Sequence, residues 1–232
     1  MHACGFDCIP ADLGTYMIVE ELKRSNLNPT EVRLFLEESR GSISTGTMAS
    51  LIEIFNSSTV WDIIQMASPY YLNPRDEKSS RPVTAHDNAR LTLKASDNTM
   101  VGYDFTVHSW TAPYLMQFID TRVVNRSNAL QNWAYSRNFV FTERMKMRSV
   151  FMAVIVSLLM TVFNLFMLNP ISRRIAQFFL PSKGKGPSQY IIENGYFKIL
   201  LVGKGIDVNS TRQEIKQVKG RITAMNGDPG YK

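Results

Sequence analysis

Twenty consecutive residues without a charge, Ser149 to Leu168, constrain this chain more than any other stretch. At about 1.5 Å rise per residue, a helix of that length is about 30 Å long, which is the thickness of a bilayer's hydrocarbon core. Arg144, Lys146 and Arg148 precede it and Arg173 and Arg174 follow it, so basic residues at both ends select no orientation. Ser157, Thr161 and Asn164 recur at three- or four-residue spacing and mark one mildly polar side. Two readings stay open. One is a helix in contact with lipid, spanning or lying flat; the other is a helix buried in a large α/β core. On the lipid reading the contacting residues are Val150, Phe151, Val154, Ile155, Leu158, Leu159, Val162, Phe163 and Phe166. Asn169-Pro170 breaks the helix, and Ile171 to Leu180 is expected to resume as a short basic and apolar helix.

The remaining sequence alternates between two periodicities. Leu13, Met17, Ile18 and Leu22 have helical spacing, with Asn28-Pro29 as the expected stop. Glu31 to Glu37 alternates, with Val32, Leu34 and Leu36 inward and Phe35 on the less buried face or against a neighbour, as a strand does. Helices are expected from Ser44 or Thr45 to about Ser57, from Thr59 to Ser68, and from Pro113 to Asn132. Further strands are expected around Ser96-Asp97-Asn98 within Arg90 to Phe105, at Asn138 to Met145, at Tyr196 to Val202 and at Val218 to Met225. The polar run from Tyr71 to Ala89 reads as a surface loop, and Lys183 to Pro187 as a basic connector. This interleaving predicts an α/β fold, a mixed sheet covered by helices, with one long hydrophobic helix. The expected organisation is 1–148 and 181–232 as parts of one α/β domain, with 149–180 inserted as a hydrophobic and amphipathic anchor.

At 44% hydrophobic and 20% charged residues, the 232-residue chain has the material for a sizeable core. The net charge of +6 comes from scattered basic residues with no accompanying nucleic-acid motif, which argues against nucleic acid as a partner. Cys4 and Cys8 do not form a Cys-x-x-Cys pair, and His2, His86 and His108 are dispersed, so no metal site is expected.

The opening residues, His2 to Gly14, read as the end of a strand breaking into a helix. Gly5 frees the backbone, and Pro10 and Asp12 suit a first helical turn. Open α/β sheets place ligands at such turns. Asp7 is the candidate catalytic carboxylate, able to order a substrate, a water or a cofactor amide; capping the following helix is the alternative. Thr45, Gly46 and Thr47 start a helix whose amides suit a phosphate or carboxylate of a substrate, and Arg122 offers a cation for the same purpose. A Thr cap without ligand and a paired arginine are the plainer alternatives. No Gly-x-Gly-x-x-Gly is present; Gly203-Lys204-Gly205 lacks the third glycine and follows a strand with no clear helix after it.

Cys4-Gly5-Phe6-Asp7-Cys8-Ile9-Pro10-Ala11-Asp12-Leu13-Gly14 resembles the mid-chain motif of the saccharopine dehydrogenase-like oxidoreductases, a group that includes the trans-acting enoyl reductases. Where that family usually has Ser, this chain has Cys8. The likeness continues at Thr45 to Ser50, Asp120 to Val124 with Arg126-Ser127, Asn138 to Phe141, Gly186 to Ser188, Gly195 to Phe197 and Gly227 to Tyr231, in order and over nearly the whole chain. The resemblance implies the second domain of a Rossmann-type oxidoreductase using NAD(P) in lipid or glycolipid metabolism. Cys4, Gly5 and Phe6 would then form one wall of the cofactor pocket. It also implies that the glycine-rich dinucleotide fold lies upstream and that the last motif leads into a further helix, so the chain is expected to be cut short at both ends. On its own it is expected to hold no dinucleotide and to be inactive. The alternative is a non-catalytic module on a membrane or lipid droplet. The expected setting is the cytosolic side of a lipid droplet or endomembrane, with the cytoplasm as the alternative and a homodimer as a further expectation.

Overall fold

In a computed structural model of the chain, residues 8–41, 45–74, 97, 100–169, 171–172, 174–175, 188–209 and 214–227 are described. Their framework is a strand, β1 (Leu27–Arg40), that pairs on both sides. It runs parallel to β4 (Val140–Met147) and antiparallel to β5 (Tyr196–Asp207). A short hairpin of β2 (Gly102–Asp104) and β3 (Ser109–Pro113) extends the sheet beyond β4, and β6 (Ile215–Ala224) extends it beyond β5. The described sheet therefore has the order β2-β3-β4-β1-β5-β6 and is mixed, with one parallel pair. A parallel pair needs a long crossover, and here it carries α2 (Thr45–Ser57), α3 (Val60–Met66), the β2–β3 hairpin and α4 (Gln117–Leu130). The fold is thus the α/β class that the alternating periodicities imply.

The first helix, α1 (Ile9–Arg24), begins with Pro10 in its first turn and Asp12 near its positive end, and closes with Lys23 and Arg24 in its last turn. Its Ile18, Val19 and Leu22 pack on Val32, Leu34 and Leu36 of β1 and on Ile199 and Leu201 of β5; Val124 of α4, Tyr135, Phe139 and Phe141 complete this core. The helix stops well before Asn28-Pro29. The Ser25 amide donates to the Glu21 and Leu22 carbonyls, and Asn26 takes the left-handed conformation at φ 57°. Asn28 and Pro29 are already in β1, where Pro29, which has no N–H, sits at an irregularity in the pairing with β5.

Other boundaries also differ from the sequence reading. Of the two placements expected for Phe35, the structure has the one against a neighbour, and the ring is fully buried. The cause is the β2–β3 hairpin: Asp104 and Thr106 bind the Arg33 guanidinium, which lies over the Phe35 ring. Pro113 ends β3 instead of opening a helix, and α4 begins at Gln117. Gly203 and Gly205 lie inside β5, which continues to Asp207. Helix α3 matches its expected span and has the reciprocal cap of a capping box, Thr59 with Asp62. Residues 75–89, most of 90–101 and 176–187 fall outside the described residues, and with them the surface loop, one expected strand, much of the second short helix and the basic connector.

The long hydrophobic segment is α5 (Val150–Leu168), capped by Ser149, and a short α6 (Gln189–Asn194) precedes β5. Helix α5 lies along β3, with further contact to β4 and α2.

The packing of α1 makes a specific demand on β5. A Cβ on Gly203 would lie 2.3 Å from Ile18 Cγ2 and 3.0 Å from Leu22 Cδ1. Ile18 is branched at Cβ and cannot swing aside. Gly203→Ala is therefore expected to destabilise the chain by about 1–3 kcal/mol, seen as a lower urea midpoint with an unchanged slope. An unchanged midpoint would show that α1 is not seated as described.

Candidate functional site

Two places in the fold gather groups with chemical potential. The first is the seam between α1 and α4. Residues 1–7, which include Cys4, Gly5, Phe6 and Asp7, lie outside the described residues. Cys8 is the N-cap residue of α1 and is buried. One turn on, Asp12 Oδ2 accepts a 2.8 Å hydrogen bond from the Ser127 hydroxyl of α4. Its Oδ1 is buried and has no hydrogen-bond partner among the described residues, and the same holds for the hydroxyls of Thr15 on α1 and Thr121 on α4. Burial pushes the Asp12 carboxyl above the ordinary aspartate range, against the lowering effect of Ser127. Tyr135, also buried, has its phenol pushed up to about 12, chiefly by burial, so it stays protonated at neutral pH.

The second place is a cavity of about 470 Å³, within the range of small-molecule sites. Four segments distant in sequence converge on it. Helix α2 gives Ile54 and Phe55; α3 gives Ile63 and Met66; the β3–α4 connection and the first turn of α4 give Tyr114, Leu115 and Phe118; α5 gives Met160, Phe163, Asn164 and Leu168. The wall is mostly apolar, with amides of Gln117 and Asn164 and the carboxyl of Asp97 as its polar points.

Arg122 stands behind this wall. Its Nη1 donates to both Asp97 oxygens at 2.7 Å, and Nε and Nη2 donate to the Met66 carbonyl at 3.2 and 3.1 Å. Nη2 also reaches the Ala67 carbonyl at 2.9 Å, and the guanidinium stacks 4.5 Å from the Phe118 ring centre. These carbonyls are the ones the end of α3 leaves unpaired within the helix. Arg122 is 3% exposed at its side chain, so it fastens α3 to α4 and presents no free cation to a ligand. Burial raises the Asp97 carboxyl even with Arg122 beside it lowering it. Asn125 adds a 3.0 Å bond to the Pro69 carbonyl. Helix α2 starts at Thr45 as expected, but the side chains of Thr45, Gly46 and Thr47 are outside the described residues.

Of the residues singled out from sequence, the structure brings Arg122 and Phe163 to one cavity, Arg122 behind its wall and Phe163 in it. The remaining candidates on α5 behave differently. Val150, Phe151, Val154, Ile155, Leu158, Leu159, Val162 and Phe166 all face outward, and Ala153, Ser157 and Met167 are the residues that pack inward. Thr161 and Asn164, expected to share a polar side with Ser157, are exposed. Met66, Phe118 and Met160 were missed because an apolar residue at helical spacing reads as core. Asp12 carried a signal, an acid in a first turn, which by itself means only a favourable helix end.

No family model and no solved structure matches the chain. A trans-acting enoyl reductase of Mycobacterium tuberculosis is 29% identical over 247 aligned positions, covering 100% of this chain and 54% of the relative. The chain is similar to trans-acting enoyl reductases. One from Mycobacterium leprae is 28% identical over 84% of the chain and 48% of its own length, and one from Mycobacterium bovis is 27% identical over the same shares. The chain thus spans about half the length of the curated relatives it matches.

Two outcomes follow from the geometry. Arg122→Met leaves Asp97 and the α3 carbonyls unsatisfied and is expected to cost about 3 kcal/mol. Arg122→Lys should recover only part of it, since an ammonium has no fork to span carboxylate and carbonyls; equal urea midpoints for Lys and wild type would contradict this role. For Asp12, a carboxyl raised in the folded state binds more protons there than in the unfolded chain. Its contribution therefore falls as pH rises through that window. Asp12→Asn should gain stability relative to wild type as pH rises through and above the ordinary aspartate range, and a difference that does not change with pH would contradict a raised Asp12 carboxyl.

Proposed function

We propose that this chain forms the substrate side of a nicotinamide-dependent enoyl reductase acting on an acyl substrate of lipid or glycolipid metabolism, with the dinucleotide held by residues other than those described. The observation that carries this reading is the apolar cavity with its few polar points between α2, α3, α4 and α5. Such a cavity fits an acyl chain: Met66, Phe118, Met160 and Phe163 exclude water, while Asn164 offers an amide to a carbonyl. The similarity to trans-acting enoyl reductases supports the reaction class.

The described residues do not fit a dinucleotide. A pyrophosphate needs glycines whose missing side chains let the backbone approach it. The space at Gly203 is filled by Ile18 and Leu22, and that at Gly205 by Leu27 and the Asn28 backbone. These glycines admit a helix and a strand. What the chain itself contributes is binding and orientation of the acyl chain and removal of water from it.

A second reading is a non-catalytic module at a membrane or lipid-droplet surface on the cytosolic side; the exposed apolar side of α5 favours it. Titration of the full chain separates the readings. A fluorescent polyene fatty acid should bind with a dissociation constant on the order of micromolar, about −8 kcal/mol. Ala67→Trp, which projects an indole from the cavity wall, should weaken it about tenfold or more. Reduced dinucleotide should bind no tighter than about 1 mM. No uptake of the fatty acid, or uptake indifferent to Ala67→Trp, would remove the acyl-site reading; low-micromolar dinucleotide affinity would show that the cofactor site had been misplaced.

A further inference from the structure

The outer side of α5 has no protein against it among the described residues. Phe151, Leu158 and Leu165 are 70%, 62% and 63% exposed, and Leu159 and Val162 are likewise exposed. The stripe continues past the helix break through Ile171 and Ile175. A soluble surface does not carry so long a run of large apolar side chains without a partner.

Charge identifies the partner. Arg148, two residues before the helix, and Arg174, beyond its end, are both exposed, so a cation stands at each end of the stripe. At the first end Arg148 joins Lys146, Lys198 and Arg221 around one hollow, where four cations face two carboxylates, Glu37 and Glu38. Lys146 and Arg221 bind Glu37, and Lys198 binds Glu38, so the surplus is positive. An apolar band bracketed by cations matches the acyl layer and anionic headgroups of a phospholipid surface.

The packing decides the orientation. Ala153 near the start of α5 and Met167 near its end are both buried against the protein, with Ser157 between them. The domain therefore accompanies the helix along its length. Were α5 to cross the bilayer, β3 and β4, which it packs against, would be carried into hydrocarbon with the charged Arg144 and Lys146, which is costly. Lying flat, the helix keeps both arginines at headgroup depth and only its outer half in the acyl layer.

We infer that α5 docks this protein in the plane of an anionic phospholipid bilayer, with Phe151, Leu158 and Leu165 inserted and Arg148 and Arg174 on the headgroups. The inference does not depend on the acyl-site reading. The test is flotation of the full chain with vesicles of phosphatidylcholine alone or mixed with phosphatidylglycerol. Wild type should float with both and more strongly with the anionic ones. The triple variant Phe151→Glu, Leu158→Glu, Leu165→Glu changes only exposed positions and should keep its circular dichroism while losing about a hundredfold or more in binding. Arg148→Ala and Arg174→Ala should each weaken binding to anionic vesicles about fivefold and leave neutral vesicles unaffected. Fluorophores at Phe151→Cys, Leu158→Cys and Leu165→Cys, with Cys4 and Cys8 replaced by Ser, report depth through quenchers along the lipid chain. One shared depth of about 5–10 Å is expected; depths stepping by about 10 Å between labels would show a span and overturn the inference. A chain that ignores vesicles and forms a dimer that the triple variant dissolves would give the surface to a second copy instead.

Discussion

Everything described hangs on the double pairing of β1. Val32, Leu34 and Leu36 are fixed against Phe141, Glu143 and Met145 of β4 on one side and against Gly203, Leu201 and Ile199 of β5 on the other. Because the β4 pairing is parallel, the chain between the two strands must travel around the sheet, and it does so through α2, α3, the β2–β3 hairpin and α4. That detour creates the cavity. Its walls are the crossover helices on one side and α5, the element immediately after β4, on the other.

Seen this way, α5 has two environments. Its inward residues Met160 and Phe163 help to close an apolar space, while its outward residues meet whatever surrounds the protein. A helix apolar all round is normally wholly buried or within a membrane; here one side is buried by protein and the other is open. Arg122 holds the far wall in place by tying the end of α3 to α4 and Asp97. Cavity shape and helix position thus rest on a buried ion pair and on the glycines that let α1 settle on β5.

The strands β1, β4, β5 and β6 were legible because alternation on a half-buried surface has period two, and α2, α3 and α5 because caps and charge-free length mark them. The end of α1 was not, since Asn28-Pro29 offers a stronger stop signal than Ser25-Asn26, and a left-handed Asn leaves little trace in sequence. Pro113 was misplaced, and the choice between the two placements of Phe35 left open, for a shared reason: both depend on the β2–β3 hairpin, whose strands of three and five residues are too short to show a period. The site was less legible still. Arg122 was singled out as a cation, and only its distances to Asp97, Met66 and Ala67 reveal a strut. The cavity itself is a meeting of four segments that no local pattern announces.

The claim that α5 serves two environments is tested most directly by photocrosslinking on one preparation of the full chain. A phospholipid with a diazirine in its acyl tail, presented in anionic vesicles, and a diazirine fatty acid, presented without vesicles, are mapped by mass spectrometry. The account predicts phospholipid adducts on the outer residues Phe151, Leu158, Leu159 and Leu165, and fatty-acid adducts on Met66, Phe118, Met160 and Phe163. Adducts of both probes on one shared set of residues, or phospholipid adducts centred on Ala153 and Ser157, would contradict it.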